Sequence, residues 1–552
     1  MQPAEKSAYV VSVRNVLCAY AALHSSLLGY GCSGPTETAS TAPAMPMETA
    51  STTPPTQTEV TTQARMTQPS TEAARTAAMV ASPSSAGAAA TMQTMQTMQT
   101  MQTMTQQTGL GAATAGTGTM SASVANAGAS GSMTSTQPDC STEEMPWANP
   151  GKLEAPELKE VEASLGKGVP FDHPDKLEQY QYSEREFFFT GKSPAFTSRF
   201  VVLRPIDPAK FSGTVYVEWY NVSGGFDVPV MWSASQQYFT REGHVYVGVT
   251  AQQVGANSLK DVDAARYSAI NHPGDTAANA IFSSAGVAIR TNIESVLGPC
   301  MKPKAFIALG QSQSSARLTD YVNNVQAKDQ VYDAILLHSG GNPAMNNPPV
   351  PVFVVHTMNE GKGSLMDGPN ALEWDIAGAS HNDKRLTEAS FDIVGKAAGF
   401  DQNPIACMNP MNDYPAFRLY NSVLDWLSRW ARNGERPPMG TPFETSGGGI
   451  AFDEHMNSKG GVRLPDIDVP IKSFTNSNGP ADATDLLSLL GCGLAGSAVP
   501  FTPAKLMQLY PTHDDYVQKY TAAADKALAA GYLLKADYDE MIEIARSAPI
   551  PK

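Results

Sequence analysis

The chain has 552 residues, of which 42% are apolar and only 16% are charged, and its formal net charge is −15. An acidic chain without a cluster of lysines and arginines argues against nucleic acid or anionic lipid as the binding partner. Because no stretch of about 18 uninterrupted apolar residues occurs, the sequence also argues against a membrane-spanning helix.

The first 32 residues have the pattern of an export signal. Lys6 and Arg14 give a basic start, and a mostly apolar stretch leads to a small residue in front of Cys32. This order resembles a bacterial lipoprotein signal, in which Cys32 would carry the lipid and provide the only membrane attachment. A cleaved signal without a lipid, or a misassigned start of the chain, is the alternative. With either kind of signal we expect an exported protein, located in the periplasm, on the cell surface or outside the cell.

Residues 33–138 contain no Phe, Tyr or Trp and few charged side chains. Such a stretch buries too little apolar surface to offset the entropy lost on ordering, so it predicts a disordered tether. The first aromatic residue after the tether is Trp147. Residues 139–552 are long enough for one large folded domain.

Four cysteines follow the tether: Cys140, Cys300, Cys407 and Cys492. They are far apart in the chain and form no C-x-x-C pair, which argues against a zinc site. In an exported protein they could form two disulfides in any of three pairings. Four free thiols are the alternative.

From Trp147 onward, short β-rich runs alternate with helical patterns. Residues 187–189 and 200–203 predict a leading antiparallel pair of strands. Further strands are predicted over residues 214–220, 244–249, 305–309, 333–337, 350–356 and 372–377, and helices over residues 276–296, 313–325 and 413–433. Asp275 is the expected N-cap of the first of these helices, and Gly434 follows the last. This alternation predicts an α/β fold with a mostly parallel, doubly wound sheet and helices on both faces.

A nucleophile-elbow pattern lies between a predicted strand and the next predicted helix: Gly310-Gln311-Ser312-Gln313-Ser314. A serine on such a sharp turn is lifted above the sheet, and small neighbours allow the backbone to turn. Ser312 is therefore the candidate nucleophile, and the backbone N–H of Gln313 is a candidate oxyanion donor. Ser314 stands where the motif usually has glycine. An N-capping serine in an ordinary strand-to-helix turn is the alternative.

A serine nucleophile needs a base, and the base needs an acid that orients it. Glu360 and His381 follow the last two predicted strands, at the sheet edge where open parallel sheets place their sites. His381 is the candidate base and Glu360 the candidate acid. Asp367 and Asp375 compete with Glu360, because loop lengths do not decide which carboxylate reaches the histidine.

The remaining features of the site are less specific. The loop at residues 221–225 follows an early strand, where esterases carry an oxyanion loop, so Val222 or Ser223 could supply the second oxyanion N–H. A simple turn is the alternative. For the other histidines near strand ends we expect core or loop hydrogen bonds, since no pair has the spacing of a metal site. The mechanism requires no cofactor and no metal.

Several segments together resemble the bacterial family called alpha/beta hydrolase domain, within the α/β-hydrolase superfamily. They are VEWYNVSGG (217–225), RY (266–267), HPGD (272–275), GQSQS (310–314), WDIAGASH (374–381), LYPTH (509–513), YV (516–517) and AGYLL (530–534). The resemblance covers about residues 147–550 and none of the tether. It implies an α/β-hydrolase with Ser312 as nucleophile and His381 as base, and it leaves the substrate open.

These observations predict an exported serine hydrolase that cleaves carboxylic esters in a small-molecule or polymeric substrate. An amidase, peptidase or lactonase with the same triad is the alternative among enzymes. A catalytically silent surface-binding protein of the same fold is the alternative outside enzymes. The long, loop-like residues 382–412 and 437–500 follow the catalytic strands and predict insertions over the site. The oligomeric state is left open.

Overall fold

The computed structural model describes residues 147–166, 177–341, 344–345, 347–398 and 405–550. The predicted export signal and tether, together with Cys32 and Cys140, lie outside these residues. No helix in the described part is both long and apolar enough to cross a membrane.

The centre of the fold is a sheet of ten strands among the described residues. The strands are β1 (Glu157–Glu160), β2 (Tyr182–Lys192), β3 (Ala195–Pro205), β4 (Thr214–Trp219), β5 (Val245–Val249), β6 (Ala305–Gln311), β7 (Ala334–His338), β8 (Val352–His356), β9 (Asp367–Gly368) and β10 (Ala371–Asp375). Their spatial order is β1-β2-β3-β5-β4-β6-β7-β8-β10-β9. The six strands from β5 to β10 in this order pair in parallel, whereas β1, β2, β3 and β9 pair antiparallel.

The predicted strands are confirmed. Most of their ends shift by one or two residues, whereas β2 and β3 extend up to five residues beyond the predicted runs. The leading antiparallel pair is confirmed as well, because Phe187 lies opposite Phe200 in the β2–β3 ladder.

Helices cover both faces of the sheet. They are α1 (Val230–Arg241), α2 (Gln253–Val262), α3 (Ala264–Tyr267), α4 (Ala278–Thr291), α5 (Ile293–Leu297), α6 (Gln313–Tyr321), α7 (Ala327–Asp329), α8 (Lys384–Ala398), α9 (Phe417–Asn433), α10 (Pro465–Asp468), α11 (Leu486–Ala495), α12 (Pro503–Leu509), α13 (His513–Ala529) and α14 (Lys535–Arg546). Short 3-10 turns span Leu177–Tyr180, Pro208–Lys210 and Asp275–Ala277, and a π-helix spans Val322–Gln326.

Each central strand is apolar on both faces because each face has its own core. In β6, Phe306 and Ala308 join a core that includes α4 and α6. The alternate residues Ile307 and Leu309 join a second core that includes α1, α9 and the C-terminal helices. A strand buried on both sides appears in the sequence as a continuous hydrophobic run, which is typical of parallel sheets. The predicted doubly wound α/β architecture is therefore confirmed.

Two helix predictions need correction. Residues 276–296 form two helices, α4 and α5, separated at Asn292. The prediction of Asp275 as the N-cap is wrong, because its carboxylate instead accepts a 2.8 Å hydrogen bond from the backbone N–H of Gln253. By contrast, the long helix expected over residues 413–433 is confirmed as α9, and Gly434 ends it in a left-handed conformation (φ 71°).

The C-terminal part adds two small hairpins to the helices. β11 (Thr445–Ser446) pairs with β12 (Gly449–Ile450), and β13 (Lys472–Thr475) pairs with β14 (Ser497–Pro500). A disulfide joins Cys407 to Cys492 in α11, and Cys300 is disulfide-bonded as well. The alternative of free thiols is therefore wrong for these three cysteines.

Candidate active site

Ser312 lies on a strained turn between β6 and α6. Its backbone has φ 57° and ψ −117°, a conformation that non-glycine residues rarely adopt and that is typical of functional turns. A Cβ on Gly310 would lie only 2.8 Å from the carbonyl oxygen of Ser314, so the turn requires glycine there. Ser314 Oγ accepts a hydrogen bond from Gln311 N–H (3.0 Å) and donates one to the carbonyl of Gln311 (2.9 Å). A serine in place of the motif's last glycine thus closes the turn with its own side chain.

The structure brings Ser312, His381 and Glu360 together at the carboxyl edge of the sheet. His381 Nε2 lies 2.9 Å from Ser312 Oγ, and His381 Nδ1 lies 2.5 Å from Glu360 Oε1. Ser312 follows β6, Glu360 follows β8 and His381 follows β10. This is the serine–base–acid geometry that the sequence predicts.

The surroundings of Glu360 favour its ionised form. Burial alone would raise its pKa, but the charge of His381 and hydrogen bonds from His381 and Thr357 outweigh burial and lower the pKa to about 2. Thr357 contributes two of these bonds to Glu360 Oε2, from its backbone N–H (3.1 Å) and its hydroxyl (2.6 Å). A permanently charged carboxylate at Nδ1 favours the His381 tautomer whose Nε2 can accept the proton of Ser312.

The two competing carboxylates lie elsewhere. Asp367 forms an ion pair with Arg436 at the surface. Asp375 is fully buried, and its Oδ2 accepts a 2.9 Å hydrogen bond from the backbone N–H of Phe443. Of the three carboxylates weighed from the sequence, only Glu360 contacts His381.

The candidate oxyanion loop, residues 221–225, is hydrogen-bonded to the turn that carries Ser312. Asn221 donates through Nδ2 to the carbonyl of Gln311 (2.9 Å), while its Oδ1 accepts the backbone N–H of Ser223 (2.8 Å). Because the Ser223 N–H is already bonded within the loop, Val222 is the better candidate for the second donor. The Val222 N–H faces Gln313 Oε1 at 3.5 Å, a long contact that a stronger acceptor could replace. The other candidate donor, the backbone N–H of Gln313, belongs to the first residue of α6. The first N–H groups of a helix have no carbonyl partner within the helix.

A buried carboxylate lies in the strand that leads to the candidate oxyanion loop. Glu218 in β4 accepts hydrogen bonds from the backbone N–H groups of Met231 (2.9 Å) and Trp232 (3.3 Å) at the start of α1, and from the hydroxyl of Tyr246 (2.6 Å). Burial raises the pKa of Glu218 to about 7 in spite of these bonds. The carboxylate therefore joins β4, β5 and α1 directly beneath the residues that follow β4.

Sequence reasoning missed the side chains that hold His381 in place. Asn359 Oδ1 accepts the backbone N–H of His381 (3.0 Å), and Gln311 Nε2 donates to the carbonyl of His381 (3.3 Å). Thr357 belongs to the same group because it holds Glu360. Contacts between a side chain and a distant backbone depend on loop conformation, so no spacing in the sequence indicates them.

The other histidines near strand ends contact backbone or aromatic groups of the fold. His272 Nε2 lies 3.0 Å from the carbonyl of Ala251, and His356 Nε2 lies 2.9 Å from that of Gly341, so the expected hydrogen bonds are confirmed for both. The expectation is wrong for His338, because neither of its ring nitrogens forms a hydrogen bond with the described residues. His338 instead packs edge-on against Tyr420, with ring centroids 4.4 Å apart, and burial lowers its pKa to about 3. Its carbonyl accepts the backbone N–H of Ser312 (2.8 Å), so it supports the elbow from the neighbouring strand.

Both predicted insertions contact the loops of the site. From residues 382–412, Asn412 Nδ2 donates to the carbonyl of Gly378, in the turn that precedes His381 (2.8 Å). From residues 437–500, Asn476 Nδ2 donates to the carbonyl of Met358, next to the acid-bearing turn (2.9 Å). These contacts place parts of both segments beside the site, while a lid role stays a prediction.

No curated protein matches the chain significantly. Among solved structures, the chain is similar to esterase Est22, with 11% identity over 40% of this chain and 80% of that chain and a TM-score of 0.26. It is also similar to esterase Pf2001 of Pyrococcus furiosus (10% identity, 41% of this chain, 94% of that chain, TM-score 0.26). A third similar structure is a glucuronoyl esterase from Solibacter usitatus (11% identity, 40% and 71%, TM-score 0.23). At such identities and scores the likeness does not bear on activity or substrate.

A family model described as alpha/beta hydrolase domain matches residues 153–543. The matched span is more than half of the 552 residues and includes Ser312, Glu360 and His381. It also includes all the segments that carry the resemblance seen in the sequence. The chain belongs to the alpha/beta hydrolase domain family.

Proposed function

We propose that the protein is a serine hydrolase that cleaves carboxylic esters through an acyl-enzyme on Ser312. The observation that carries the proposal is the continuous chain of contacts from Ser312 Oγ to His381 (2.9 Å) and from His381 to Glu360 (2.5 Å). Membership of the family supports a hydrolase, and we propose carboxylic esters as the substrate.

The proposed reaction has two halves. His381 Nε2 takes the proton of Ser312 while Oγ attacks the acyl carbon, and the backbone N–H groups of Gln313 and Val222 stabilise the resulting oxyanion. The C–O bond to the alcohol then breaks, and the alcohol leaves with the proton from His381. Water, activated by the same histidine, attacks the acyl-enzyme, releases the carboxylic acid and restores Ser312. Glu360 stabilises the imidazolium in both halves.

The test compares two serine variants of the purified full chain. Ser312→Ala should abolish covalent labelling by a fluorophosphonate probe and the turnover of short p-nitrophenyl esters. Ser315→Ala is the matched control, because that hydroxyl is buried nearby and forms no hydrogen bond with the described residues. Labelling that persists in Ser312→Ala would refute the nucleophile. Faster cleavage of matched anilides than of esters would refute the ester substrate in favour of an amide.

We further propose that the protein is exported and that Cys32 is its lipid attachment site. The disulfide between Cys407 and Cys492 supports export, since stable disulfides form in oxidising compartments. Radiolabelled palmitate should enter the wild-type protein but not Cys32→Ser, and cell fractionation should place the wild type outside the cytoplasm. A cytoplasmic location would refute export, whereas an exported but unlabelled wild type would refute only the lipid.

A further inference from the structure

Three buried ionisable side chains meet one strand away from the candidate active site. They are His356 at the end of β8 and Glu373 and Asp375 in β10, with exposed fractions of 1%, 6% and 0%. His356 lies directly opposite Asp375 in the parallel β8–β10 ladder, and Glu373 is two residues earlier on the same face. One ligand atom from each of the three residues lies within 4.8 Å of the other two.

A backbone group fixes the outer polar atom of each side chain. His356 Nε2 lies 2.9 Å from the carbonyl of Gly341, so Nε2 carries a hydrogen and donates it. Glu373 Oε2 accepts the backbone N–H of Met366 (2.7 Å), and Asp375 Oδ2 accepts that of Phe443 (2.9 Å). These bonds direct the three inner atoms toward one another, which is the arrangement that second-shell hydrogen bonds produce around metal ligands.

Two of the three inner atoms have no hydrogen bond that satisfies them. His356 Nδ1 lies 2.5 Å from Glu373 Oε1 and 3.4 Å from Asp375 Oδ1. Neither Nδ1 of His356 nor Oδ1 of Asp375 makes a hydrogen bond of acceptable geometry with the described residues. A single proton on Nδ1 could point at only one of the two oxygens and would leave a net negative charge buried. Buried charge without compensation is strongly unfavourable.

We propose that His356, Glu373 and Asp375 bind a divalent metal ion. A neutral imidazole and two carboxylates carry a total charge of −2, which one divalent cation neutralises. Nitrogen and oxygen donors of this kind suit Zn²⁺ or Mn²⁺. An ion about 2.1 Å from each ligand holds neighbouring ligand atoms about 3.0 to 3.4 Å apart. The 3.4 Å separation already fits, and the 2.5 Å separation needs to open by less than about 1 Å. The two carboxylate oxygens lie within 4.8 Å of each other, so they need to close by at most about 1.5 Å.

The ion would support the turn that carries Glu360. His356 is followed directly by Thr357, which holds Glu360 with two hydrogen bonds. On the other side of the turn, a Cβ on Gly361 would lie 3.2 Å from Asp375 Oδ1, so the backbone there packs against the cluster. The ion therefore has a structural role behind the acid-bearing turn and does not contact the substrate.

The sequence gives no signal for this site. Its ligands come from two strands that are adjacent in the sheet but separated in the chain, and the spacing of the histidines alone argues against a metal. Only the β8–β10 register brings His356 opposite Asp375 and close to Glu373.

Metal binding by the full chain tests the proposal directly. After dialysis against a chelator, the wild-type protein should take up about one Zn²⁺ or Mn²⁺ per chain in calorimetric titration, and its melting temperature should rise on metal addition. Glu373→Gln should weaken the affinity by more than about 100-fold, because outer-shell partners alone contribute about 10- to 100-fold. Asp466→Asn is the matched control, since that carboxylate accepts a hydrogen bond from Tyr520 and lies outside the cluster. Its affinity should equal that of the wild type.

Two outcomes would overturn the proposal. A wild-type chain that shows no saturable uptake of either ion would mean that a proton occupies the cluster. Unchanged affinity in Glu373→Gln would mean that the ion binds elsewhere. Metal uptake by the wild type tests the proposal even if the Glu373→Gln variant fails to fold. Ester hydrolysis is not part of the readout, so failure here would leave the proposed function untouched.

Discussion

Replacing Glu360 by glutamine removes one negative charge from the side of His381 while keeping the shape of the side chain. The pKa of Glu360 falls from 4.5 to about 2, so its surroundings favour the charged form by about 3 kcal/mol. Hydrogen bonds from Thr357 supply a part of this preference that does not depend on the histidine. The loss of imidazolium stabilisation in the transition state is therefore up to about 3 kcal/mol, which corresponds to a decrease in kcat/KM of up to about 100-fold.

The assay is turnover of a p-nitrophenyl ester, with the active-site concentration fixed by fluorophosphonate titration. Asp367→Asn serves as the matched control, because its carboxylate pairs with Arg436 at the surface, and it should leave kcat/KM unchanged. If Glu360→Gln keeps its activity within about threefold of the wild type, the carboxylate does not stabilise the imidazolium and the reasoning is wrong. An equal loss in Asp367→Asn would refute it in the same way.

The same variant makes a prediction about stability and pH. Because the folded-state pKa of Glu360 lies below its ordinary value of 4.5, its stabilising contribution is fully present above that pH and disappears as the pH falls toward about 2. The difference in unfolding free energy between wild type and Glu360→Gln should therefore be larger at pH 6 than at pH 3, as measured by urea denaturation. A difference that is independent of pH would contradict the lowered pKa.

Two further predictions concern the elbow and the disulfide. Gly310→Ala should slow fluorophosphonate labelling and lower the unfolding free energy by about 1–3 kcal/mol, because its Cβ would lie 2.8 Å from the carbonyl of Ser314. An added Cβ at Gly493 would have no atom within 4 Å outside its own helix backbone, so Gly493→Ala should be neutral or stabilising by up to about 1 kcal/mol. Equal losses in the two alanine variants would refute the steric argument. Replacing Cys407 and Cys492 by serine opens a loop of 85 residues and should cost up to about 4–5 kcal/mol in denaturant unfolding, so an unchanged midpoint would argue against the disulfide.

Much of the fold could be predicted because parallel strands that are buried on both faces leave continuous hydrophobic runs. The runs at β4, β5 and β6 are short and clearly bounded, so only their ends shifted by one or two residues. The helix prediction over residues 276–296 failed in detail for a local reason. Helical periodicity continues through Asn292, but the backbone there leaves the helical region (φ −131°, ψ 41°), and the pattern carries no sign of the break.

The site could be predicted only in part, from the order in which the strand ends follow one another along the chain. Ser312 and His381 follow from the elbow pattern and from the edge of the sheet. The choice of Glu360 over Asp375 depends on which face of β10 a residue occupies and on how the turn after β8 folds. The two hydrogen bonds from Thr357 set that turn, and they exist only once the loop has formed. The disulfide pairing likewise follows from tertiary proximity and not from the spacing of the cysteines.

The way His381 is held has a consequence for how the protein loses activity. Both of its backbone polar atoms and both ring nitrogens are engaged, by Asn359, Gln311, Glu360 and Ser312. Those partners lie at the ends of two central strands, β6 and β8, so the base cannot be displaced without disturbing the sheet itself. Thermal inactivation should therefore coincide with cooperative unfolding of the whole domain and not precede it through local fraying. Residual activity would then report the fraction of folded molecules.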